Sequence, residues 1–502
     1  MTPIVVTAQH QRSVRRCLWI ATWTIINIAV MALAVAAVVS REGVLIALGV
    51  LGVLVVTAFF TISRRDARTV LTLLVLLLFL LPQDYVLVGP LRSVGNPAQL
   101  VGMLALTFWC AGRILGLIRA REGHPIRWVL LLYAIAAIAG FAAAMSSSTL
   151  TVDESTGAAR ALFPVAAALG IGLLAVDGLE SREGVETMLQ RLVWVGGVAA
   201  LIGIVEFASN GFIYREAMRL PGLTINTEVI NDTRSGFDRV HGAASHPIEY
   251  AVALAALAPL ALNFALHAKT PLRRELNMLA LLLICVVIPM TVARSGVVAV
   301  AVGVGFYAMH LSNRAKLNLA VLGVIALGLY RATVPGLLGT LKSLLLVGEA
   351  DASIAGRTED YAKIPGLTAG FETFGRGLGT FQPKAYFFLD NQYLGSLLEG
   401  GILGLATLIL TYVVGISVAR GVRHRSGDAS MRGLGQALAA SIAALAVSAA
   451  TFDELSFRQS AFTLFLLLGC AGALWSTVQG NPKRRWSGEV KVPKPAQVAM
   501  AA

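Results

Sequence analysis

The sequence predicts an all-α, polytopic integral membrane protein with a large loop on the outer side of the membrane. Three observations predict it: a shortage of charge, a series of apolar runs of membrane-spanning length, and a one-sided placement of basic residues. Of the 502 residues, 56% are hydrophobic and only 14% are charged, against about 25% charged in soluble globular chains. Mean hydropathy is +0.74. A soluble chain of this length would form about three domains and would have to cover each with polar surface. The charges needed for that are missing.

A helix crosses a bilayer with about 20 mainly apolar residues, and by that measure the chain offers about fourteen spans (about twelve to fourteen). They fall at 17–39, 43–62, 70–88, 98–118, 128–146, 158–176, 192–208, 245–267, 276–292, 294–311, 316–332, 391–418, 433–452 and 456–477. The ninth and tenth almost touch at Ala293 and Arg294. The first run exceeds the core of a cleaved signal peptide, about 7–15 residues, and reads as an anchor.

Basic residues then set the orientation, because cytoplasmic loops carry the excess of Lys and Arg. With the N-terminus inside, the inner segments hold Arg12, Arg15 and Arg16, then Arg64, Arg65 and Arg68, then Arg119, Arg121 and Arg127. The alternation continues through Arg182/Arg191, Lys269/Arg273/Arg274, Arg314/Lys316 and Arg420/Arg423/Arg425/Arg432 to the basic tail. The chain therefore divides into a cytoplasmic segment 1–16, eleven spans over 17–332 with an outer loop at 209–244, and a large extracytoplasmic loop at 333–390. Three more spans over 391–477 and a flexible cytoplasmic tail, 478–502, complete it. Stretches such as 341–349 and 364–374 predict short amphipathic helices in the large loop.

The net charge of +13 would point to nucleic acid in a soluble protein. Here the charge lies in the inner loops, and no nucleic-acid partner is expected. Cys17, Cys110, Cys285 and Cys470 all lie in or beside apolar runs without CxxC spacing, so neither disulfides nor a metal site is expected.

The residues able to carry chemistry cluster on the outer side. Arg294 interrupts an apolar run and is followed by Ser295 and Gly296. An arginine there either faces a polar cavity or snorkels from a helix end. The stretch 234-RSGFDRVHGAASHPIEYA-251 brings Arg234, Arg239, His241 and His246 to the start of a helix. Helix N-terminal amides beside Arg and His suit a phosphate; a Pro-anchored helix start is the plainer alternative. In the large loop, Arg357 offers fork-shaped donors for a diphosphate, and Glu359 and Asp360 either pair with it or supply a base. The glycines of 375-GRGLGTF-381 lack the flanking strand and Lys-Ser/Thr of a phosphate loop, and predict a compact turn. Asp390 or Asn391 caps the next helix, and Asp390 equally suits orienting or deprotonating a hydroxyl. Glu399 lies about 13.5 Å further along that helix, a distance that predicts a role elsewhere or in bundle stability. Asp453, Glu454 and Arg458 crowd one short connection, as cavity lining or as an exposed ion pair.

From Arg234 to Gly404 these elements, 239-RVHGAASHPIEYA-251, 294-RSG-296, 375-GRGLGTF-381 and 390-DNQYLGSLLEGGILG-404, resemble the O-antigen ligase / Wzy polymerase superfamily of bacterial glycosyltransferases. The resemblance implies a GT-C-like fold in the bacterial cytoplasmic membrane with the active site facing outward. It implies an undecaprenyl-diphosphate-linked glycan donor, a glycan, lipid or protein acceptor, surrounding membrane lipids, and a flippase and chain-length regulator as partners. No cofactor or metal is implied. Arg239, Arg294 and Arg357 match the arginines that grip the diphosphate, with Arg294 and Asp390 as the catalytic pair. Arg234, His241, His246, Glu359, Asn391, Asp453 and Arg458 are further candidates. Ligases of the family commonly have a histidine before the Asn; Asp390 stands there in this chain, which fits a repeat-unit polymerase better. A transporter of a lipid-linked or anionic substrate is the rival reading, and a structural scaffold a weaker one. The enzyme reading requires Arg239, Arg294, Arg357 and Asp390 to line one pocket, and scattered positions count against it.

Overall fold

The computed structural model describes residues 67–479 apart from 90–91, 93–94, 117, 119–122, 149, 210–219, 221, 226–232, 235–236 and 334–351. The first two apolar runs, the 341–349 stretch and nearly all of the tail lie outside the described residues. The other twelve runs each fall on a helix: α1 Ala67–Leu80, α2 Pro97–Ile114, α3 Pro125–Met145, α4 Val152–Gly178, α5 Arg182–Ala208, α6 Pro247–Leu266, α7 Pro271–Met290, α8 Arg294–Ala308, α9 Asn313–Thr333, α11 Gln392–Arg425, α12 Ala429–Ser448 and α13 Arg458–Val478. Helix α10, Ala352–Thr368, belongs to the large loop. Eight of the helices (α3, α4, α5, α6, α9, α11, α12 and α13) are long and apolar enough to cross a membrane, the build of a multi-pass membrane protein. Strands among the described residues are minor: β1 Tyr85–Leu87 pairs antiparallel with β2 Leu223–Ile225, and β3 Thr233–Arg234 with β4 Phe237–Asp238.

The helices start where the sequence supplies acceptors for their unpaired first amides. Asn96, Ser181, Thr270, Asn391 and Asp428 cap α2, α5, α7, α11 and α12. Proline opens α2, α3, α6 and α7, where its missing N–H costs nothing. Thr151 and Glu154 form a reciprocal capping box on α4. Contacts between helix termini sort them into two chemically different ends. At the basic end Arg182 pairs with Asp428, Arg127 with Asp177 at 2.9 Å, and Arg423 donates to Gln436 at 2.9 Å. At the other, the loop end, backbone bonds tie Gln83 to Ala243 (2.8 Å) and Gln392 to Ala449 (2.8 Å). Helices α6 and α13 are buried along almost their whole length, with α6 packed on α5, α7, α8 and α12 and α13 packed on α4 and α11.

The almost-touching ninth and tenth runs are two separate helices, α7 and α8. Their turn takes only Thr291, Val292 and Ala293, and it forces Val292 to a φ of 50°. A β-branched residue in the left-handed region costs about 1–2 kcal/mol. The turn is held by the Val292 amide donating to the Pro289 carbonyl at 3.0 Å and the Thr291 hydroxyl to the Ile288 carbonyl at 2.7 Å.

Helix α11 departs from the expectation of one continuous span. It breaks at Gly401, with φ 62° and ψ −160°. Unbroken, its 34 residues would reach about 51 Å, well beyond a hydrocarbon core of about 30 Å. The backbone groups freed by the break are taken up by the segment after α10. Arg376 and Gly377 amides donate to the Leu398 and Glu399 carbonyls (2.9 and 2.8 Å), while Ile402 donates to the Glu372 carbonyl at 2.7 Å. The 364–374 stretch is correspondingly not one amphipathic helix: α10 stops at Thr368, and the chain from Glu372 to Gly377 is inserted into the break. The compact glycine turn is present, with Gly375, Gly377 and Gly379 all at positive φ.

Candidate functional site

At the loop end, α3, α4, the first turns of α11 and α13, and the 378–390 segment enclose a cavity of about 920 Å³. Its charged lining is balanced, with Arg92, Arg160 and Arg458 facing Asp390, Glu399 and Asp453. Tyr133, Phe381, Phe387, Phe388 and Phe457 add aromatic surface. Arginine beside carboxylates and rings is a lining that recognises both anionic and polyhydroxylated groups.

Each polar group is fixed by identifiable contacts. Gln83 is buried and donates to the Leu78 and Leu81 carbonyls at 2.9 and 2.7 Å. Asn96 donates to the Gln83 side chain (2.8 Å) and accepts from the Gln99 amide (2.8 Å). Gln99 in turn accepts from Arg458 Nε at 2.9 Å. The next residue, Gln459, donates its amide to the buried Glu249 at 2.7 Å. Arg458 thus ends a chain of buried amides that leaves its guanidinium little freedom. Arg160 is different. It is exposed on α4 and makes no hydrogen bond or ion pair among the described residues. Pro164, one turn on and also in the lining, has no N–H to offer the Arg160 carbonyl.

The carboxylates occupy two stations. Asp390 and Asp453 sit close enough to interact, and burial, reinforced by the Asp390 charge and opposed by a hydrogen bond from the Ser456 hydroxyl, pushes Asp453 up to about 6. Glu399 stands at the α11 break, where one oxygen, Oε1, accepts from the Gly379 and Phe381 amides at 2.9 and 3.2 Å. Arg376, outside the lining, pins the same segment to α4 through Glu154 (3.3 Å), with Tyr386 donating to the same carboxylate oxygen at 2.8 Å.

The cavity gathers only part of the residues singled out in the sequence. Asp390, Asp453 and Arg458 line it. Asp453 and Arg458 bond Ser456 and Gln99 rather than each other, so they are not the exposed ion pair that was the plainer expectation. Asn391 caps α11 at its edge and donates to the Tyr361 hydroxyl at 3.2 Å. Arg239 and Arg294 are not in the lining. Arg239 Nε donates to the Thr291 carbonyl at 3.0 Å, and Arg294 opens α8, whose Ser295 accepts from the Thr451 hydroxyl at 2.8 Å. His241 lies 3.5 Å from Glu206, His246 caps α6, and Glu359 is exposed and paired with Lys363 at 3.3 Å. Arg234 falls on β3 and Arg357 on α10, and their side chains lie outside the described residues. Of the four residues expected to share one pocket, Asp390 lines this cavity and Arg239 and Arg294 do not. Glu399, assigned from spacing to a place away from Asp390, lines the same cavity. Arg92 and Arg160 were not singled out at all. The Thr151–Glu154 capping box was the available signal for Arg160, because it starts α4 well before the apolar run and brings that arginine onto the helix.

Beside the cavity, Glu454 is buried and accepts from the Tyr412 hydroxyl at 3.1 Å. Burial pushes its carboxyl up to about 8. A folded state that holds this proton more tightly than the unfolded chain has full benefit below the ordinary value of 4.5 and loses it as pH rises through about 8. Glu454→Gln is therefore expected to raise the melting temperature at pH 9 and to change it little at pH 5, as thermal melts in detergent at the two pH values will show.

No protein-family model matches the chain, and no curated protein matches its sequence.

Proposed function

We propose that the protein is a metal-independent glycosyltransferase that polymerises undecaprenyl-diphosphate-linked repeat units of a surface polysaccharide on the outer face of the bacterial cytoplasmic membrane. In this reading the chain has about fourteen spans in a GT-C-like arrangement, and both termini are cytoplasmic. The observation that carries it is the cavity itself. It pairs arginines with carboxylates and aromatic rings, and it lies at the end of the bundle opposite the basic loops. The positive-inside rule makes that end the outer one.

The mechanism assigns each group a task. Arg160 and Arg458 neutralise the donor diphosphate in place of Arg239 and Arg294, since both share a cavity with the acids. An acceptor hydroxyl oxygen attacks the anomeric carbon, the bond from that carbon to the diphosphate oxygen breaks, and the diphosphate leaves with the electron pair. The hydroxyl proton passes to the Asp390–Asp453 pair. Charge building on the leaving diphosphate is met by fixed guanidinium groups, the form of stabilisation that contributes most in such sites.

A second reading, transport of a lipid-linked or anionic substrate, draws on the scatter of Arg239 and Arg294 and on the break in α11, since broken helices beside a polar site are a transporter feature. Reconstitution with the native lipid-linked glycan pool separates the two. A ladder of lengthened lipid-linked products is expected from the wild type, reduced by about tenfold or more in Arg160→Ala. One transfer step onto a different acceptor would make it a ligase. No product above a protein-free control, with donor and acceptor verified, would overturn the enzyme and leave transport.

A further inference from the structure

We propose that Glu399, together with Phe381 and Phe387, forms a subsite that holds a sugar ring of the acceptor glycan. The proposal deepens the transfer reading and rests on it for the identity of the bound group. Its observations are independent of the arginines.

Glu399 has an unusual attachment for a residue beside a cavity. Both of its bonds run through one oxygen, to the backbone amides of Gly379 and Phe381. Its other oxygen, Oε2, makes no hydrogen bond among the described residues, and the side chain lines the cavity. A carboxylate clamped on one side by two amides presents its second oxygen in a fixed direction, so little side-chain entropy is lost when a donor arrives. The same two amides belong to the segment that carries the aromatic wall. Phe381 is stacked on Tyr386, with ring centroids 4.8 Å apart and planes 19° apart, and Phe387 meets it edge-on at 5.2 Å. Phe381 and Phe387 both line the cavity. A pyranose offers hydroxyls at its rim and an apolar C–H face. A fixed carboxylate oxygen beside rigid aromatic surface answers both features. The guanidinium groups of the lining answer the diphosphate, so the glycan is the part of the substrate this station fits.

Glu399→Gln separates holding the segment from holding the sugar. The amide oxygen of glutamine still accepts from Gly379 and Phe381, while the oxygen facing the cavity becomes an NH2 donor. Full-length protein in proteoliposomes, with the native lipid-linked pool, would be assayed for transfer at varied acceptor and donor. Glu399→Gln is expected to melt with the wild type and to raise the acceptor KM by about tenfold or more, with donor KM unchanged. An acceptor KM equal to that of the wild type would overturn the proposal. Should Glu399→Gln melt early, Phe387→Leu decides, with a raised acceptor KM expected and an unchanged one fatal. If the wild type transfers nothing, calorimetric titration with oligosaccharide released from the same pool keeps the two claims apart. Binding by the wild type and its loss in Glu399→Gln would sustain the subsite while the transfer reading fails; no binding by the wild type would remove both.

Discussion

Gly401→Ala is expected to destabilise the protein by about 3 kcal/mol or more and to disorder the entrance of the cavity. Two costs combine. The backbone of Gly401, at φ 62° and ψ −160°, lies in a region that essentially only glycine occupies. A Cβ there would also come within 2.5 Å of the carbonyl carbon and oxygen of Thr373. That neighbour is backbone rather than a flexible side-chain tip, and it is itself bonded to α11 through the Leu403 amide at 3.2 Å. Relief therefore requires the 371–377 segment to withdraw from the break, and Glu399 would lose the amides that fix it. Gly305→Ala supplies the control, because a Cβ at that helical position meets nothing within 4 Å and gains up to about 1 kcal/mol of helix propensity. Thermal melts and limited proteolysis across 369–391 would measure both variants. A Gly401→Ala protein within about 1 kcal/mol of wild type, with that segment still protected, would mean that α11 runs unbroken.

The contrast between what the sequence revealed and what it concealed comes from the range of each signal. Apolar runs and their caps are local, so helix placement was legible from 67 onward, down to the separation of α7 from α8 at Ala293 and Arg294. The break in α11 was hidden because hydropathy stays high on both sides of it; only the Gly400–Gly401 pair marks a place where a helix kinks. Glu399 was misplaced for the same reason. Distance along a helix says how far it is from Asp390, but not that the 378–390 segment folds back over both. Arg239 and Arg294 drew attention through their neighbours, His241 and His246–Pro247 in one case and Ser295–Gly296 in the other. Their place in the molecule depends on α8 packing against α6 and α12, whereas the cavity is built from α3, α4, α11 and α13. Which helices become neighbours is a long-range property that no window of residues contains. Arg458 was legible because it shares one short connection with Asp453.

Arg458→Ala is expected to lower transfer by about two to three orders of magnitude, and Arg294→Ala by much less. The difference arises from where each guanidinium is held. Arg458 lines the cavity with Asp390 and Asp453, and its Nε is fixed by Gln99, which Asn96 and Gln83 fix in turn. A donor held in place before the reaction stabilises developing charge without reorganising, and that preorganisation is the source of its effect. Arg458→Lys retains the charge but loses both the Nε bond and the planar fork that matches phosphate oxygens, so it should recover only part of the rate. Gln99→Leu leaves Arg458 in place but removes its support, and a loss of about tenfold is expected. Arg294 stands at the start of α8, outside the lining. Single-turnover transfer rates of the four variants at saturating donor would decide the matter. If Arg294→Ala abolished transfer while Arg458→Ala left it intact, the reacting centre would lie against α6 and α8, where Arg294 is held, rather than around Arg458.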